Sequence, residues 1–189
     1  MRRFPVVATM VVLAAIATMI ALGFWQLDRL RQKEALLARY RTAQAMSADA
    51  PWPEGPVAAQ GLLYRHATLE CREVVARSMV AGRNARGESG MVEKVTCRLP
   101  DGARAPVVLG WSKQPVAGKW PGGMVQGVIA PGPRLVADPP LAALGANARP
   151  DPSEVPNNHL AYAVQWFLFA ATAAVIYAIA LWKRLRGKG

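Results

Sequence analysis

The sequence has few of the side chains from which metal and catalytic centres are built. Its 189 residues include 2 cysteines and 2 histidines, and their spacing matches none of the zinc-binding patterns, in which ligands occur in close pairs. Neither histidine lies in a motif with an acid and a nucleophile. The glycine-rich stretch 82–90 lacks the lysine of a phosphate-binding loop. We therefore expect no enzymatic activity.

Acidic residues are also scarce, and both ends of the chain lack them. There are 12 Asp and Glu against 23 Lys and Arg, giving a formal net charge of +11 at pH 7, and every acid lies within residues 26–159. The basic residues are scattered rather than arranged in a stripe, and no aromatic platform for single strands accompanies them. The positive charge therefore does not indicate nucleic-acid binding.

Two long stretches contain no charge at all. Residues 4–25 form a run of 22 and residues 160–182 a run of 23. A helix rises about 1.5 Å per residue, so each run is long enough to cross the roughly 30 Å hydrocarbon core of a bilayer. The pattern predicts two transmembrane helices, the first over 4–25 and the second, with its N-cap, over 157–182.

The charges flanking these two runs predict the orientation of the protein. Short flanks rich in Lys and Arg stay in the cytoplasm, and such flanks are the tails 1–3 and 183–189. Both termini are expected inside, with the central domain periplasmic and the tails attracted to anionic membrane lipid. A cleaved signal peptide is the alternative for the first run, although 22 apolar residues exceed its usual core of about 7 to 15.

The region between the two runs begins with a helical pattern and continues with a β pattern. Residues 26–50 predict a juxtamembrane helical extension, because residues 25–40 contain strong helix formers and no Gly or Pro. Residues 51–156 predict a β-rich domain with turns at glycine-rich and Pro-Asp-Gly segments. Its candidate strands, which a proline-rich return segment follows, are 62–80, 91–99, 105–111 and 124–130.

The fold class predicted from these patterns is membrane α+β. Two antiparallel transmembrane helices are expected to flank a small, antiparallel, β-rich periplasmic domain that resembles a barrel or a sandwich.

The two cysteines are expected to form a disulfide. Cys71 and Cys97 are equidistant from Asn84, the centre of the predicted hairpin loop, so antiparallel pairing about that centre would bring them opposite each other. The predicted compartment is oxidising. A copper site is the alternative, because Met79 and Met91 fall close to the same register and soft sulfur ligands suit Cu(I).

The start of the second apolar run carries the candidate ligand. His159 follows two asparagines that suit an N-cap, and the positive end of a helix disfavours imidazolium, which leaves a neutral imidazole able to bind iron. Tyr162 and Trp166 share its helical face. The alternative is a polar cap with ordinary interfacial aromatics. Gln165 is expected to face the partner helix or a cofactor, because polar groups in hydrocarbon need partners.

Two short motifs carry a resemblance to a known family. Residues 23–29 read GFWQLDR and residues 157–163 read NNHLAYA, followed by Trp166 and Phe167. Both resemble the signatures of the surfeit locus protein 1 family, and each lies at the outer end of its predicted span. The central domain departs from the family pattern, because residues 107–115 keep Gly110 and Trp111 but lack the Asn-Arg pair before them.

The resemblance implies a role in respiratory chain biogenesis. It implies an assembly factor for haem–copper cytochrome c oxidase in the bacterial inner membrane, with subunit I as partner and haem a synthase or other assembly factors as further candidates. It also implies a haem a site with His159 as iron ligand, to which Trp25 and Gln26 of the first motif belong.

Other residues and other roles stay open beside this interpretation. Arg29 is a candidate for the haem propionates, and His66 on a predicted strand is either a surface residue or a second ligand. A haem-free scaffold for subunit I is the alternative function, and copper delivery is a third.

Overall fold

The structure is a computed structural model that describes residues 5–116 and 118–186. Three predicted parts lie outside the described residues: the tail 1–3, Phe4 at the start of the first span, and the last three residues of the tail 183–189. The chain divides into two compact units, one formed by residues 5–36 with 156–186 and the other by residues 37–155.

The first unit contains the two long helices. α1 is Val6–Gln44 and α3 is His159–Arg186. α1 continues through residues 25–40, as their composition predicts, and ends before Pro51. Three basic residues lie in the last turn of α3, where they interact favourably with the negative end of the helix dipole. Both helices are long and apolar enough to cross a membrane.

Small residues line the contact between α1 and α3, which are antiparallel. Gly23 of α1 is buried, and so are Ala163 and Ala170 of α3. A Cβ on Gly23 would lie 2.5 Å from Cε1 of Phe167, so the ring of Phe167 occupies the space that a side chain would need. Small residues allow this close approach of two helices where lipid removes the hydrophobic gain of burial.

The second unit is built on a sheet of six strands. Their order is β1-β5-β6-β4-β3-β2, and every neighbouring pair is antiparallel except β4 with β6. A short helix, α2, covers Pro56–Leu62. The strands are β1 His66–Cys71, β2 Glu73–Arg83, β3 Ser89–Arg98, β4 Arg104–Ser112, β5 Gly123–Ala130 and β6 Arg134–Ala137.

The predicted α+β class, with two membrane-capable helices flanking a mostly antiparallel β domain, is confirmed, and the sheet is open rather than closed into a barrel. The predicted strand 62–80 is two strands separated by Arg72, because β1 pairs with β5 at one edge and β2 with β3 at the other. β6 lies in the segment predicted to be irregular. Its four residues fit between Pro133 and Pro139, so the prolines do not interrupt its main-chain pairing.

Large aliphatic side chains form the core on one face of this sheet. Leu109, Ile129 and Leu135 are each 0% exposed. The ring of Tyr64 packs on that of Tyr40, with 4.8 Å between their centroids. Burial of the Tyr64 hydroxyl, reinforced by Tyr40 and acidic neighbours, raises its pKa above the usual value.

One carboxylate is buried in the same unit. Glu93 of β3 is 1% exposed and accepts hydrogen bonds from Nη1 of Arg77 and from the N–H of Gly118, each at 2.7 Å. Arg77 also donates to the carbonyls of Gly118 and Trp120. This ion pair ties β2 and β3 to the loop between β4 and β5.

Cys71 and Cys97 are joined by a disulfide. The register that predicted it is wrong: Cys97 pairs with Val74, and β2 and β3 pair as Gly82 with Gly90 rather than about Asn84. The side chain of Asn84 forms the turn by accepting hydrogen bonds from the N–H groups of Arg86 and Glu88, which displaces the centre. Cys71 reaches its partner because the chain bends at Arg72.

Candidate functional site

The candidate site lies where α1 and α3 bring a glutamine and a histidine together. Nδ1 of His159 lies 2.8 Å from Oε1 of Gln26. An amide oxygen only accepts hydrogen bonds, so with Oε1 as the partner Nδ1 is the donor. In the neutral tautomer that has this hydrogen bond, the other ring nitrogen, Nε2, holds the lone pair through which imidazole binds a metal. Metal-binding histidines commonly have such a partner on their second nitrogen.

Helical spacing explains why these two side chains meet. Gly23 and Gln26 are three residues apart on α1, and His159 and Ala163 are four apart on α3, so each pair shares a helical face. Phe167 continues the α3 face, touching Gly23 and meeting the ring of Phe24 edge to face, with centroids 5.4 Å apart. The packed contact therefore positions the Gln26–His159 bond.

Trp25 and Arg29 form a second group on α1. Trp25 is 53% exposed, and the guanidinium carbon of Arg29 lies 6.0 Å from the centroid of its ring. Arg29 also donates to Oε1 of Gln32, which in turn donates to Asp28. A guanidinium has five N–H donors, so donors remain for an anion such as a propionate.

The predicted aromatic residues of α3 lie beside the helix contact rather than in it. Tyr162 is 51% exposed, and half-buried Trp166 packs edge-on against Phe169 at 6.2 Å. Within residues 5–36 and 156–186, the aromatic ring pairs are Phe24–Phe167 and Trp166–Phe169, so Trp25 stacks on neither Tyr162 nor Trp166. Gln165 is exposed and does not face α1.

The structure adds residues that the sequence analysis did not assign to the site. Gly23 and Phe167 determine how closely the two helices approach. Gly23 lies about one turn from Gln26, and Phe167 lies about two turns from His159. This spacing could have indicated from the sequence that both residues belong to the site. Oδ1 of Asn157, two residues before His159, is buried and has no hydrogen-bond partner among the described residues. Thr9 and Tyr177 form a further hydrogen bond between the helices, at 2.5 Å.

The other candidate ligands are not assembled into a metal centre. In residues 5–116 and 118–186 no three His, Cys, Asp or Glu side chains are grouped to hold a metal ion. The disulfide leaves neither cysteine with a thiolate for copper, and Met79 and Met91 pair with Glu93 and Ala81 rather than with each other. His66 begins β1, in the other unit. His159 therefore remains the candidate that the geometry supports.

Comparisons with known proteins identify one family. The model of the SURF1 family matches residues 13–171, which include the whole sheet, most of α1 and the first 13 of the 28 residues of α3. A comparison with curated proteins finds no match for this chain. The family match covers more than half of the sequence and both motifs that carry the surfeit locus protein 1 resemblance.

Proposed function

This chain belongs to the SURF1 family, and from that premise we propose that it holds haem a and passes it to subunit I of haem–copper cytochrome c oxidase. The family is linked to assembly of this oxidase, so the chain is a member of an assembly-factor family rather than of an enzyme family. Haem is the cargo in this proposal, and the chain catalyses no reaction on it.

The observation that carries the proposal is the hydrogen bond between Gln26 and His159. Haem iron takes a neutral imidazole nitrogen as axial ligand. The glutamine orients the ring and leaves Nε2 as the nitrogen with a lone pair, so a ligand is prepared without any rearrangement of the helix contact. A chaperone must release its cargo, and one protein ligand exchanges more readily than two.

Apolar and cationic side chains near the two motifs could contact the porphyrin ring and the propionates of a haem. Trp25, Tyr162 and Trp166 supply aromatic surface of the kind that a porphyrin covers. Arg29 has donors for a propionate. The interaction with haem a synthase or with subunit I would then take place where these side chains are exposed.

The proposed location is the bacterial inner membrane. The basic residues at the end of α3 and before α1 favour cytoplasmic termini, which makes residues 37–155 periplasmic. An oxidising compartment also suits the Cys71–Cys97 disulfide. The topology is tested by accessibility of the sheet unit to protease in spheroplasts.

The test of the haem proposal is the absorption spectrum of the full-length protein purified after co-expression with haem a synthesis. We expect Soret and α bands that His159→Ala removes. Gln26→Ala should keep the bands but weaken haem affinity about 10- to 100-fold, because the ligand loses its orienting partner. His66→Ala is the matched control and should change neither.

Two results would contradict the haem proposal. One is a wild-type protein without haem bands under conditions in which haem a is made. The other is a His159→Ala protein whose bands and affinity equal those of the wild type.

A haem-free scaffold is the second candidate, and the same hydrogen bond supports it. Gln26 and His159 satisfy each other without any ligand, so they also suit a pair of helices whose only task is to hold subunit I. Co-purification of subunit I with haem-free His159→Ala, at the wild-type level, would favour this scaffold. Loss of subunit I together with haem would favour haem delivery.

A further inference from the structure

Two polar side chains lie exposed in the middle of the uncharged run of α3. Gln165 and Thr172 follow His159, the first residue of α3, by about 9 Å and about 20 Å along the helix axis. α3 is long and apolar enough to cross a membrane. When it does, both side chains lie within the hydrocarbon core, where no water is available as a hydrogen-bond partner.

Other polar side chains of the two long helices have partners within the chain. The hydroxyls of Thr9 and Tyr177 are hydrogen-bonded to each other, and the hydroxyl of Thr18 donates to the carbonyl four residues before it. Neither Gln165 nor Thr172 has a side-chain hydrogen bond to any residue in 5–116 or 118–186. Because a polar group in hydrocarbon is stabilised by a partner on another helix, these two residues mark a helix contact that the single chain does not contain.

Gln165 and Thr172 belong to one stripe along α3. They are seven residues apart, so they share a helical face. Alternating steps of four and three residues extend this face to six exposed residues, which we call the outer stripe: Ala161, Gln165, Leu168, Thr172, Val175 and Ile179. At about 100° per residue, the outer stripe lies on the side of α3 opposite Ala163 and Ala170, which are buried against α1.

We propose that the outer stripe packs against the outer stripe of a second copy of this chain. The two α3 helices are parallel, and the two-fold axis runs along the membrane normal. Copies inserted in the same orientation have each residue at the same depth, so Gln165 meets Gln165 and Thr172 meets Thr172. An amide both donates and accepts hydrogen bonds, and so does a hydroxyl, so each side chain is a suitable partner for its own copy.

The two polar positions together select a second copy over an unrelated helix. An unrelated helix would need polar side chains at two levels about 10 Å apart and on one face. A parallel copy has both by symmetry, and the basic residues at the end of α3 favour one orientation for every copy. The inference is independent of haem, because the outer stripe lies opposite the side of α3 that carries His159.

Cysteine crosslinking of the full-length protein in native membranes tests this contact. Leu168→Cys and Ile179→Cys place a thiol in the outer stripe, and under mild oxidation we expect each to give a reducible band at twice the chain mass of 20.3 kDa. Ala171→Cys and Ala178→Cys are the matched controls. Both residues are exposed but lie about a quarter turn away from the stripe, so they should give little of this band. The native cysteines are bonded to each other and do not interfere.

Three crosslinking results would overturn the proposal. One is absence of the dimer band for both Leu168→Cys and Ile179→Cys. Another is equal crosslinking at all four positions, which indicates random collision. The third is a band of a different mass that contains another protein, because it would assign the outer stripe to a helix of that protein instead of a second copy.

Replacing the polar side chains gives a second measurement that needs no cysteine. In detergent, sedimentation equilibrium should give a dimer about 10- to 100-fold weaker for Gln165→Leu, because two hydrogen bonds between the helices are lost. Gln165→Asn, which keeps the amide, should weaken it less. Thr172→Val should weaken the dimer about two- to tenfold.

Thr18→Val is the matched control for Thr172→Val. The hydroxyl of Thr18 is exposed on α1 and already bonded within its own helix, so its loss should leave the dimer unchanged. A dimer constant that is the same for the wild type, Gln165→Leu and Thr172→Val would overturn the assignment of the polar residues to the contact.

Discussion

The two units of this protein hold their structures together by different means. The sheet unit buries large aliphatic side chains such as Leu109 and Ile129. Within residues 5–36 and 156–186, the buried residues of the helix pair are small: Gly23, Ala163 and Ala170. Many large apolar side chains of the helices are exposed, although Phe167 packs against Gly23. The comparison shows that burial of volume stabilises the sheet unit, whereas close and specific contacts determine how the helices pack.

Their buried polar groups differ in the same way. Glu93 of the sheet unit is an ion that needs Arg77 and the N–H of Gly118 to offset its burial. Gln26 is uncharged and shares one hydrogen bond with His159, at 2.8 Å. The ion pair fixes the loop between β4 and β5 to the sheet, whereas the bond to Gln26 uses one of the two imidazole nitrogens of His159.

The largest difference between the units is expected for removal of one leucine side chain. Leu109→Ala should lower the free energy of opening the sheet by about 3 kcal/mol or more, because it leaves a cavity in the core. Leu168→Ala, at a leucine of α3 that is 59% exposed, should change the stability of the helix pair by less than about 0.5 kcal/mol. Amide hydrogen exchange, read by mass spectrometry for each unit, measures both.

Equal losses of stability for Leu109→Ala and Leu168→Ala would show that the two units are stabilised in the same way. A small loss for Leu109→Ala alone would mean that the core collapses around the missing side chain.

The next effect concerns the buried carboxylate. Arg77→Ala should lower the stability of the sheet unit by about 2–3 kcal/mol, because Glu93 is left buried without its cation. The side chain of Arg77 is 36% exposed, so the loss of stability is smaller than the loss expected for a fully buried ion pair. The double variant Arg77→Ala/Glu93→Gln should recover part of the loss, since no uncompensated charge remains. Exchange of the β3 amides is the measurement, and a double variant less stable than the single one would contradict the explanation.

The smallest effect should differ in sign between two glycines. Gly23→Ala brings a Cβ within 2.5 Å of the Phe167 ring and should destabilise the helix pair by about 1 kcal/mol. Gly61→Ala in α2 meets nothing within 4 Å and should stabilise that helix by up to about 1 kcal/mol. Hydrogen exchange in α1 and α2 reads the two changes. A Gly23→Ala protein as stable as the wild type would show that Phe167 can move away without cost.

Local sequence patterns predicted the structure correctly where a single segment determines its own conformation. The apolar lengths predicted both long helices, and helix formers predicted the continuation of α1 beyond Trp25. The Cys71–Cys97 pairing was expected from a register that the structure does not have. The bend at Arg72 and the turn made by Asn84 produce the contact, and both depend on which sheet edge each strand joins.

The same limit applies to the candidate site. Helical spacing placed His159 on a face with Ala163. It could not distinguish the buried side of that face from the side with exposed Tyr162 and half-buried Trp166. The position of α1 makes that distinction. Because Phe167 packs against Gly23, the side of α3 that carries Phe167 faces α1. Gln165 is exposed for the same reason: it lies on a side of α3 that α1 does not cover.

The sequence by itself determined the two membrane-capable helices, the β-rich unit between them and the two motifs that identify the family, because length, charge and composition act within short segments. Only the tertiary structure decided the strand order, the position of β2 at the end of the sheet and the partner of His159. Each of these depends on contacts between residues far apart in the chain, which no local pattern encodes.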